Sequence, residues 1–172
     1  MPTIKIADDI LSPKNKIRIS YKGKNSFFPV TIIPTMLKDI LRISGKDLFA
    51  KDLRWDATAD AKQFYCVWYA KYEEDRWTDI MFKVTLQGAQ NSSDKMGWIN
   101  IDLEGKVTTE FEYSNFLQKA LWFIFNRMFY YKQRRMYMEE GKEYIYKFRE
   151  ELLHAMKLEG KLDVEEPEQA TT

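Results

Sequence analysis

An alternation of apolar and polar residues runs through the middle of the chain and limits the folds open to it. Between Leu53 and Tyr113, five segments place an apolar side chain at every second position. A period of two is that of a β-strand that buries one face. Short polar turns such as 73–75 join the segments, and short connections join antiparallel strands. The sequence therefore predicts a five-stranded antiparallel meander whose last two strands meet in a hairpin at Glu104–Gly105.

Other patterns flank this meander. Residues 17–22 alternate in the same way and predict an earlier strand. Residues 35–44 have the spacing of a short helix that ends at Gly45. The period then becomes helical over 114–157, with a weak point at Gly141 that favours a kink. This order predicts an α+β fold, in which a curved antiparallel sheet of about six strands grips a long C-terminal helix and a short helical segment follows the first strand.

The chain has the length of one domain. Its 172 residues are 45% hydrophobic and 31% charged, the mixture of a globular protein. Residues 1–15 have no clear period and are interpreted as a lead-in, and the domain is expected to span 16–158. Residues 159–172 are acidic and poor in apolar side chains, so a disordered tail is expected there.

Charge and cysteine content restrict the compartment and the partners. The formal net charge of +1 gives no overall attraction to nucleic acid or to an anionic membrane. Cys66 is the only cysteine, so a disulfide framework within one chain is excluded. The N-terminus lacks the apolar core of a signal peptide, and no uncharged run reaches the length of a membrane span. A soluble, cytoplasmic protein is expected.

The order of elements resembles that of the helix-grip fold of the START and polyketide-cyclase (SRPBCC) superfamily, over about residues 16–157. The stretches that carry the resemblance are KIRISYKG, IPTMLKDILRISG, the meander from DLRWDATAD to GKVTTEFEYS, and NFLQKALWFIFNRMF. Members of that superfamily typically enclose a cavity between the sheet and the final helix, and bind lipids, sterols or other apolar molecules there.

The resemblance implies a binding protein for a lipid-like or polycyclic small molecule. From the residues themselves, neither a cofactor nor a metal is expected. The same aromatic and aliphatic residues are also what a packed core would use, and both interpretations stay open. The implied cavity residues are Trp55, Cys66, Trp68, Phe82, Val84, Ile101 and Phe111 from the sheet, and Leu121, Ile124, Phe125 and Met128 from the helix.

The C-terminal helix also carries basic residues beside aromatic ones, over 127–135. Such a pattern suits an anionic partner, either nucleic acid or a membrane surface, because cations contact phosphates while rings stack or enter a headgroup layer. A solvated helix face with charges paired to nearby glutamates is the other interpretation. Tyrosines farther along the helix make a homodimer through this helix a further alternative. The candidate phosphate contacts are Arg127, Lys132, Arg134 and Arg135.

Catalytic chemistry has weaker support. The chain has one cysteine and one histidine, Cys66 and His154, so neither a zinc site nor a cysteine–histidine pair is expected. Asp56 and Asp79 alternate with the apolar residues of their strands, so their side chains are expected to point outward. The sequence contains no phosphate-binding glycine loop. A cyclase or lyase in the implied cavity is the second alternative, and whether the protein is an enzyme stays open, with binding preferred.

Overall fold

The computed structural model describes residues 1–58, 60–156 and 160–165. Within them, one antiparallel sheet and a set of helices confirm the predicted α+β class. The strands are β1 (Thr3–Asp9), β2 (Ile17–Lys24), β3 (Leu48–Asp56), β4 (Lys62–Glu73), β5 (Thr78–Gln90), β6 (Met96–Glu112) and β7 (Gly160–Glu165). The helices are α1 (Phe28–Leu41), α2 (Phe116–Phe125) and α3 (Tyr131–Met156), with a π-helical turn at Asn126–Tyr130 between the last two.

The strands lie in the order β3-β4-β5-β6-β2-β7, and β1 pairs with the remaining part of β6. On one side β6 pairs with β5, and on the other it pairs first with β2 over 96–103 and then with β1 over 106–112. A sheet followed by a long C-terminal helical region fits a helix-grip-like architecture.

The predicted hairpin at Glu104–Gly105 is wrong, because β6 runs through it without a turn. Every odd-numbered residue from Ile99 through Gly105 to Thr109 is buried, as expected for one continuous strand. A Cβ at Gly105 would lie 2.6 Å from the Ile145 side chain. The glycine therefore marks a close approach of α3 to the sheet rather than a chain reversal.

The kink predicted at Gly141 is also absent, since Gly141 lies buried within the continuous α3. A Cβ there would lie 2.8 Å from the side chain of Ile10, which is fully buried. Gly141 and Gly105 face the same isoleucine from the helix and the sheet, so two small residues let α3 pack closely against β6.

Helices α1 and α3 cover one face of the sheet and contact each other. Helix α1 begins at Phe28 instead of near Thr35. Pro29 is tolerated in its first turn, because the backbone N–H groups there have no partner within the helix in any case. The second half of the C-terminal helix packs as its spacing predicts, through Ile145, Phe148 and Leu152. Together these elements bury a core whose most enclosed members are Ile10, Ile17, Ile19, Ile33, Ile80, Leu86, Ile99, Ile101 and Leu152.

Two terminal segments differ from the sequence interpretation. The expected lead-in over 1–15 contains β1, whose side chains alternate between more and less exposed positions. In the expected tail over 159–172, residues 160–165 form β7, and the rest of the tail lies outside the described residues.

Candidate functional site

The space between the sheet and the helices was the predicted ligand cavity. Four of the proposed lining residues, Cys66, Phe82, Val84 and Ile101, are buried there and belong to the packed core. The void that remains beside Phe82 and Val84 measures about 10 Å³, the space of roughly one water molecule. Trp68 is half-buried and packs against the same core. The described side chains therefore fill this region as a packed core and leave no ligand-sized cavity.

The helix residues proposed for the cavity lie elsewhere. Leu121, Ile124 and Met128 are each more than half exposed and point away from the sheet, and Phe125 is 38% exposed. The structure therefore does not bring these four side chains together with the buried sheet residues.

The two aromatic candidates from the sheet also lie apart from the buried set. Trp55 lies on the edge strand β3, is half exposed and packs edge-on against Phe27 with ring centroids 4.9 Å apart. Phe111 stacks flat on Trp122 of α2 at 4.2 Å. Both rings thus make local contacts at different ends of the molecule and do not share a pocket.

The π-helical turn explains why α2 presents an unexpected face. Trp122 and Tyr130 are the buried residues of this region, and they are eight positions apart. In an uninterrupted α-helix that spacing would rotate the second residue by about 80° away from the first. The wider π turn accommodates one extra residue and returns Tyr130 to the side of Trp122. The stripe at Leu117, Leu121, Ile124 and Met128 consequently faces solvent.

An aromatic cluster fixes α2 to the end of the sheet. Trp77, at the turn between β4 and β5, packs edge-on against Trp122 at 5.3 Å and against Tyr130 at 5.5 Å. Phe125 lies 6.0 Å from the Trp77 ring and 5.8 Å from the Trp122 ring. These contacts hold one side of α2, and its opposite side has no counterpart among the described residues.

A hydrogen-bond network beneath the cluster holds the π turn. The Tyr130 hydroxyl donates to the Asp75 carboxylate at 2.8 Å and accepts from the Thr78 hydroxyl at 2.5 Å. Thr78 in turn accepts from Thr109 at 2.7 Å, and Tyr137 also donates to Asp75, at 3.0 Å. Burial raises the pKa of Asp75, but the donated hydrogen bonds outweigh it and keep that pKa below its ordinary value.

Glu74 stands next to this network in a less favourable position. One of its carboxylate oxygens is buried and has no hydrogen-bond partner among residues 1–58, 60–156 and 160–165. Burial, together with the nearby carboxylates of Glu140 and Asp75, raises the pKa of Glu74 to about 7. The turn between β4 and β5 therefore places the Glu74 carboxyl group near Glu140 of α3, and this carboxyl group changes charge near neutral pH.

The outer side of α2 and the π turn forms a continuous exposed apolar region, named here the α2 surface. Residues 113–138, which carry it, contain no Asp or Glu. At its C-terminal end, Glu139 and Glu143 line a surface depression together with Lys132 and Arg135. Exposed cations accompany the α2 surface at Arg127, Lys132 and Arg135. Its large exposed side chains are Phe116, Leu117, Leu121, Phe123, Ile124, Phe125, Met128, Phe129, Tyr131 and Met136.

Arg134 differs from the other three predicted phosphate contacts. Its side chain is only 9% exposed, and its guanidinium lies 2.6 Å from the Asp8 carboxylate of β1. The prediction that Arg134 faces a partner is therefore wrong, because the register of α3 after the π turn directs it toward the sheet. Arg127, Lys132 and Arg135 are exposed, and their role as phosphate contacts stays a prediction.

The candidate catalytic groups are dispersed. Cys66 is buried, and burial raises the pKa of its thiol. Asp56 is exposed and hydrogen-bonded by Thr58, which lowers the pKa of its carboxyl group. Asp79 lies on the open face of the sheet, 4.0 Å from Lys71, and burial raises the pKa of that carboxyl. Among the described residues no group of three or more His, Cys, Asp or Glu side chains is arranged to bind a metal.

Comparisons with known proteins add little to this geometry. No protein-family model matches the sequence, and a search of curated proteins gives no match. Among solved structures, a Staphylococcus aureus protein of unknown function aligns over 91% of this chain and 95% of its own, at 9% identity and a TM-score of 0.29. A TM-score this low supports no conclusion about fold or function. Of the helices that the structure describes, none combines the length and hydropathy needed to cross a bilayer.

Proposed function

We propose that the protein binds the surface of anionic lipid bilayers through the α2 surface, with α2 lying in the plane of the interface. The observation that carries the proposal is the exposed stripe of Leu117, Leu121, Ile124 and Met128, on a segment, 113–138, that contains exposed cations and no Asp or Glu. Contiguous exposed apolar surface on a folded protein marks an interaction site.

The apolar side chains supply the first contribution. A helix with leucine, isoleucine and phenylalanine on one face places that face several ångströms into the boundary between headgroups and acyl chains. Removing an Ile or Leu side chain from water contributes about 1.5–3 kcal/mol. Ile124 and Leu121 lie in the middle of the stripe, so both are expected to be immersed.

The basic side chains supply the second contribution. Arg127 lies next to Met128 within the stripe, Lys132 and Arg135 follow it along the chain, and all three are exposed. Each such cation near an anionic surface contributes about 1 kcal/mol, and salt screens the attraction. The α2 surface therefore selects for negatively charged lipids, although the whole protein is nearly neutral.

This pattern favours a bilayer over the other two candidate partners. Nucleic acid offers phosphates and bases, and the aliphatic side chains of Leu117, Leu121 and Ile124 contact neither favourably. A second copy of the chain would bring an equally basic, acid-free helix against this one, and like charges repel. An anionic bilayer satisfies the apolar stripe and the cations together.

Vesicle flotation tests the proposal. We expect the protein to float with phosphatidylcholine vesicles that contain phosphatidylglycerol, and much less with phosphatidylcholine alone. Ile124→Asp should reduce flotation at least about tenfold, because an apolar contact is replaced by a charge. Leu53→Asp is the matched control, since Leu53 is also more than half exposed but lies on the edge strand β3.

Other outcomes would overturn the proposal. These are absence of flotation with anionic vesicles, flotation of Ile124→Asp equal to that of the unsubstituted protein, and equal loss in Leu53→Asp. If the protein instead forms a dimer that Ile124→Asp dissociates in light scattering, a second copy is the partner. If it binds duplex DNA or RNA with the same dependence on Ile124, the partner is nucleic acid.

Binding of an apolar small molecule between the sheet and the helices, which the resemblance to the START superfamily implies, stays a prediction. A void of about 10 Å³ requires α1 and α3 to separate before such a ligand enters. The exposed α2 surface requires no rearrangement, so the bilayer is the function that the geometry supports best.

A further inference from the structure

A second surface feature lies on the opposite face of the sheet, against which none of the described helices packs. Strand pairing aligns Arg54, Tyr65 and Gln87 in one row across β3, β4 and β5. Because side chains alternate between the two faces and Phe64 and Cys66 point into the core, this row points outward. The neighbouring outward row consists of Asp56, Gln63, Ala89 and Trp98.

Small residues leave a hollow between these two rows. Ala89 and Gly88 lie at its base, and its volume is about 460 Å³. Trp98, which is 40% exposed, forms one wall. Tyr65 lies across from it, with the Arg54 guanidinium 5.8 Å above its ring. A rigid sheet thus presents two aromatic side chains around a shallow depression.

Two loops close one end of the hollow. The Asp60 carboxylate accepts a hydrogen bond from the Ser92 backbone N–H at 3.2 Å and another from the Ala61 N–H at 3.1 Å. The first bond ties the loop between β3 and β4 to the loop between β5 and β6. The end of the depression is therefore held in place by a contact between its two flanking loops.

The polar groups of the hollow define what it can bind. Gln63 and Gln87 are exposed, and in the described part of the chain neither side-chain amide has a hydrogen-bond partner. Each amide offers two donors and one acceptor. Arg54 is ion-paired to Asp52 at 2.8 Å, and Asp56 adds a negative charge to the lining. The hollow therefore does not attract phosphate or carboxylate ligands, and its amides disfavour a purely hydrocarbon ligand.

We propose that this hollow, named here the Trp98 hollow, binds a neutral carbohydrate. The C–H face of a pyranose ring packs on an indole or phenol ring, while its hydroxyl groups exchange hydrogen bonds with side-chain amides. Trp98 and Tyr65 supply the rings, and Gln63 and Gln87 supply the amides. The site is separate from the α2 surface and does not depend on bilayer binding.

NMR titration of the full chain tests the assignment, with maltotriose, cellotriose and chitotriose as probes at millimolar concentrations. At least one of them is expected to shift the Trp98 indole N–H and the Gln63 side-chain amide signals in a saturable way. Trp98→Ala is expected to weaken that binding about tenfold, the effect of losing one stacked ring. Gln63→Ala, an exposed position that leaves the core untouched, is expected to weaken it as well.

Tyr69→Ala serves as the control, because Tyr69 lies on the same open face but stacks on Phe49 outside the hollow. Binding unchanged in Tyr69→Ala and reduced in the two hollow variants supports the site. The proposal is overturned if none of the three sugars shifts the Trp98 signal, or if folded Trp98→Ala and Gln63→Ala bind as the unsubstituted protein does.

Discussion

Trp122 and Tyr130 lie eight residues apart along one helical region, yet both rings face the sheet, with their centroids 5.6 Å apart. The π turn at Asn126–Tyr130 makes this alignment, because it takes up one residue more than an α-helical turn would. The same turn decides which side of α2 is exposed, and so creates the α2 surface.

Deleting Met128 is therefore expected to leave the fold intact. With one residue fewer, an ordinary α-helix places Trp122 and Tyr130 seven positions apart, only about 20° from perfect alignment. Thermal or urea unfolding should show a free energy of unfolding close to that of the full chain. Deleting Met136 is the contrast, since it lies in α3, where removing a residue rotates Tyr130 away from Ile145 and should unfold the protein. Similar behaviour of the two deletions would contradict this account of the π turn.

Tyr130→Phe is expected to lower the free energy of unfolding by about 1–2 kcal/mol, because Thr78 and Asp75 lose a buried hydrogen-bond partner. Urea denaturation measures the difference. Tyr131→Phe is the matched control, since Tyr131 is exposed and should change stability little. Equal effects at the two positions would show that the network does not anchor the helix.

Glu74→Gln is expected to stabilise the protein at pH 8 and to have less effect at pH 5. The pKa of Glu74 is about 7 in the folded protein and about 4.5 when unfolded, so the folded state binds more protons between these values. Stability contributed by this group therefore falls as pH rises from about 4.5 to 7, and the cost is complete above pH 7. After allowance for solvent screening, glutamine should recover about 1–2 kcal/mol at pH 8.

Urea denaturation at the two pH values measures this difference. Glu73→Gln is the control, since Glu73 is exposed beside Lys71. A larger gain for Glu74→Gln at pH 5 than at pH 8 would contradict the assignment.

Charge reversal at Arg127 and Lys132 together is expected to weaken binding to anionic vesicles at least about 30-fold at low salt, since each cation contributes about 1 kcal/mol. The effect should shrink as salt increases, because the interaction is screened. Lys24→Glu and Lys46→Glu together, at two exposed positions outside the α2 surface, change the net charge by the same amount and control for it. Vesicle sedimentation measures the affinities, and an unaltered affinity in the double variant would exclude an electrostatic contribution from these residues.

Much of the fold could be predicted because the sheet follows simple periodicity. The alternation around Cys66 and Phe82 predicted the strands that became β4 and β5, and the stripe at Ile145, Phe148 and Leu152 predicted the buried side of α3. The hairpin turn predicted at Glu104–Gly105 was wrong, because a glycine in a strand can mark either a turn or a close contact. Only the packing of Ile145 against Gly105 distinguishes the two.

The site was harder to predict, for a physical reason that lies in α2. This helix is apolar on several sides, so the spacing of Leu121, Ile124 and Met128 is typical of a buried stripe although Trp122 is the buried residue. Which side faces the sheet depends on the π turn and on Trp77, which lies far away in the sequence. The absence of acidic residues from 113–138 was the available signal that this helix differs from the rest of the chain. The Trp98 hollow depends on strand register, which periodicity alone does not give.

A polarity-sensitive fluorophore at position 124 tests the central claim most directly. The native Cys66 is buried, so a maleimide dye should label Ile124→Cys selectively, and Lys46→Cys provides the control position. With vesicles that contain phosphatidylglycerol, the account predicts a blue shift and increased emission at position 124, and no change at position 46. Unchanged emission at position 124, or equal changes at both positions, would contradict the conclusion that α2 enters the bilayer interface.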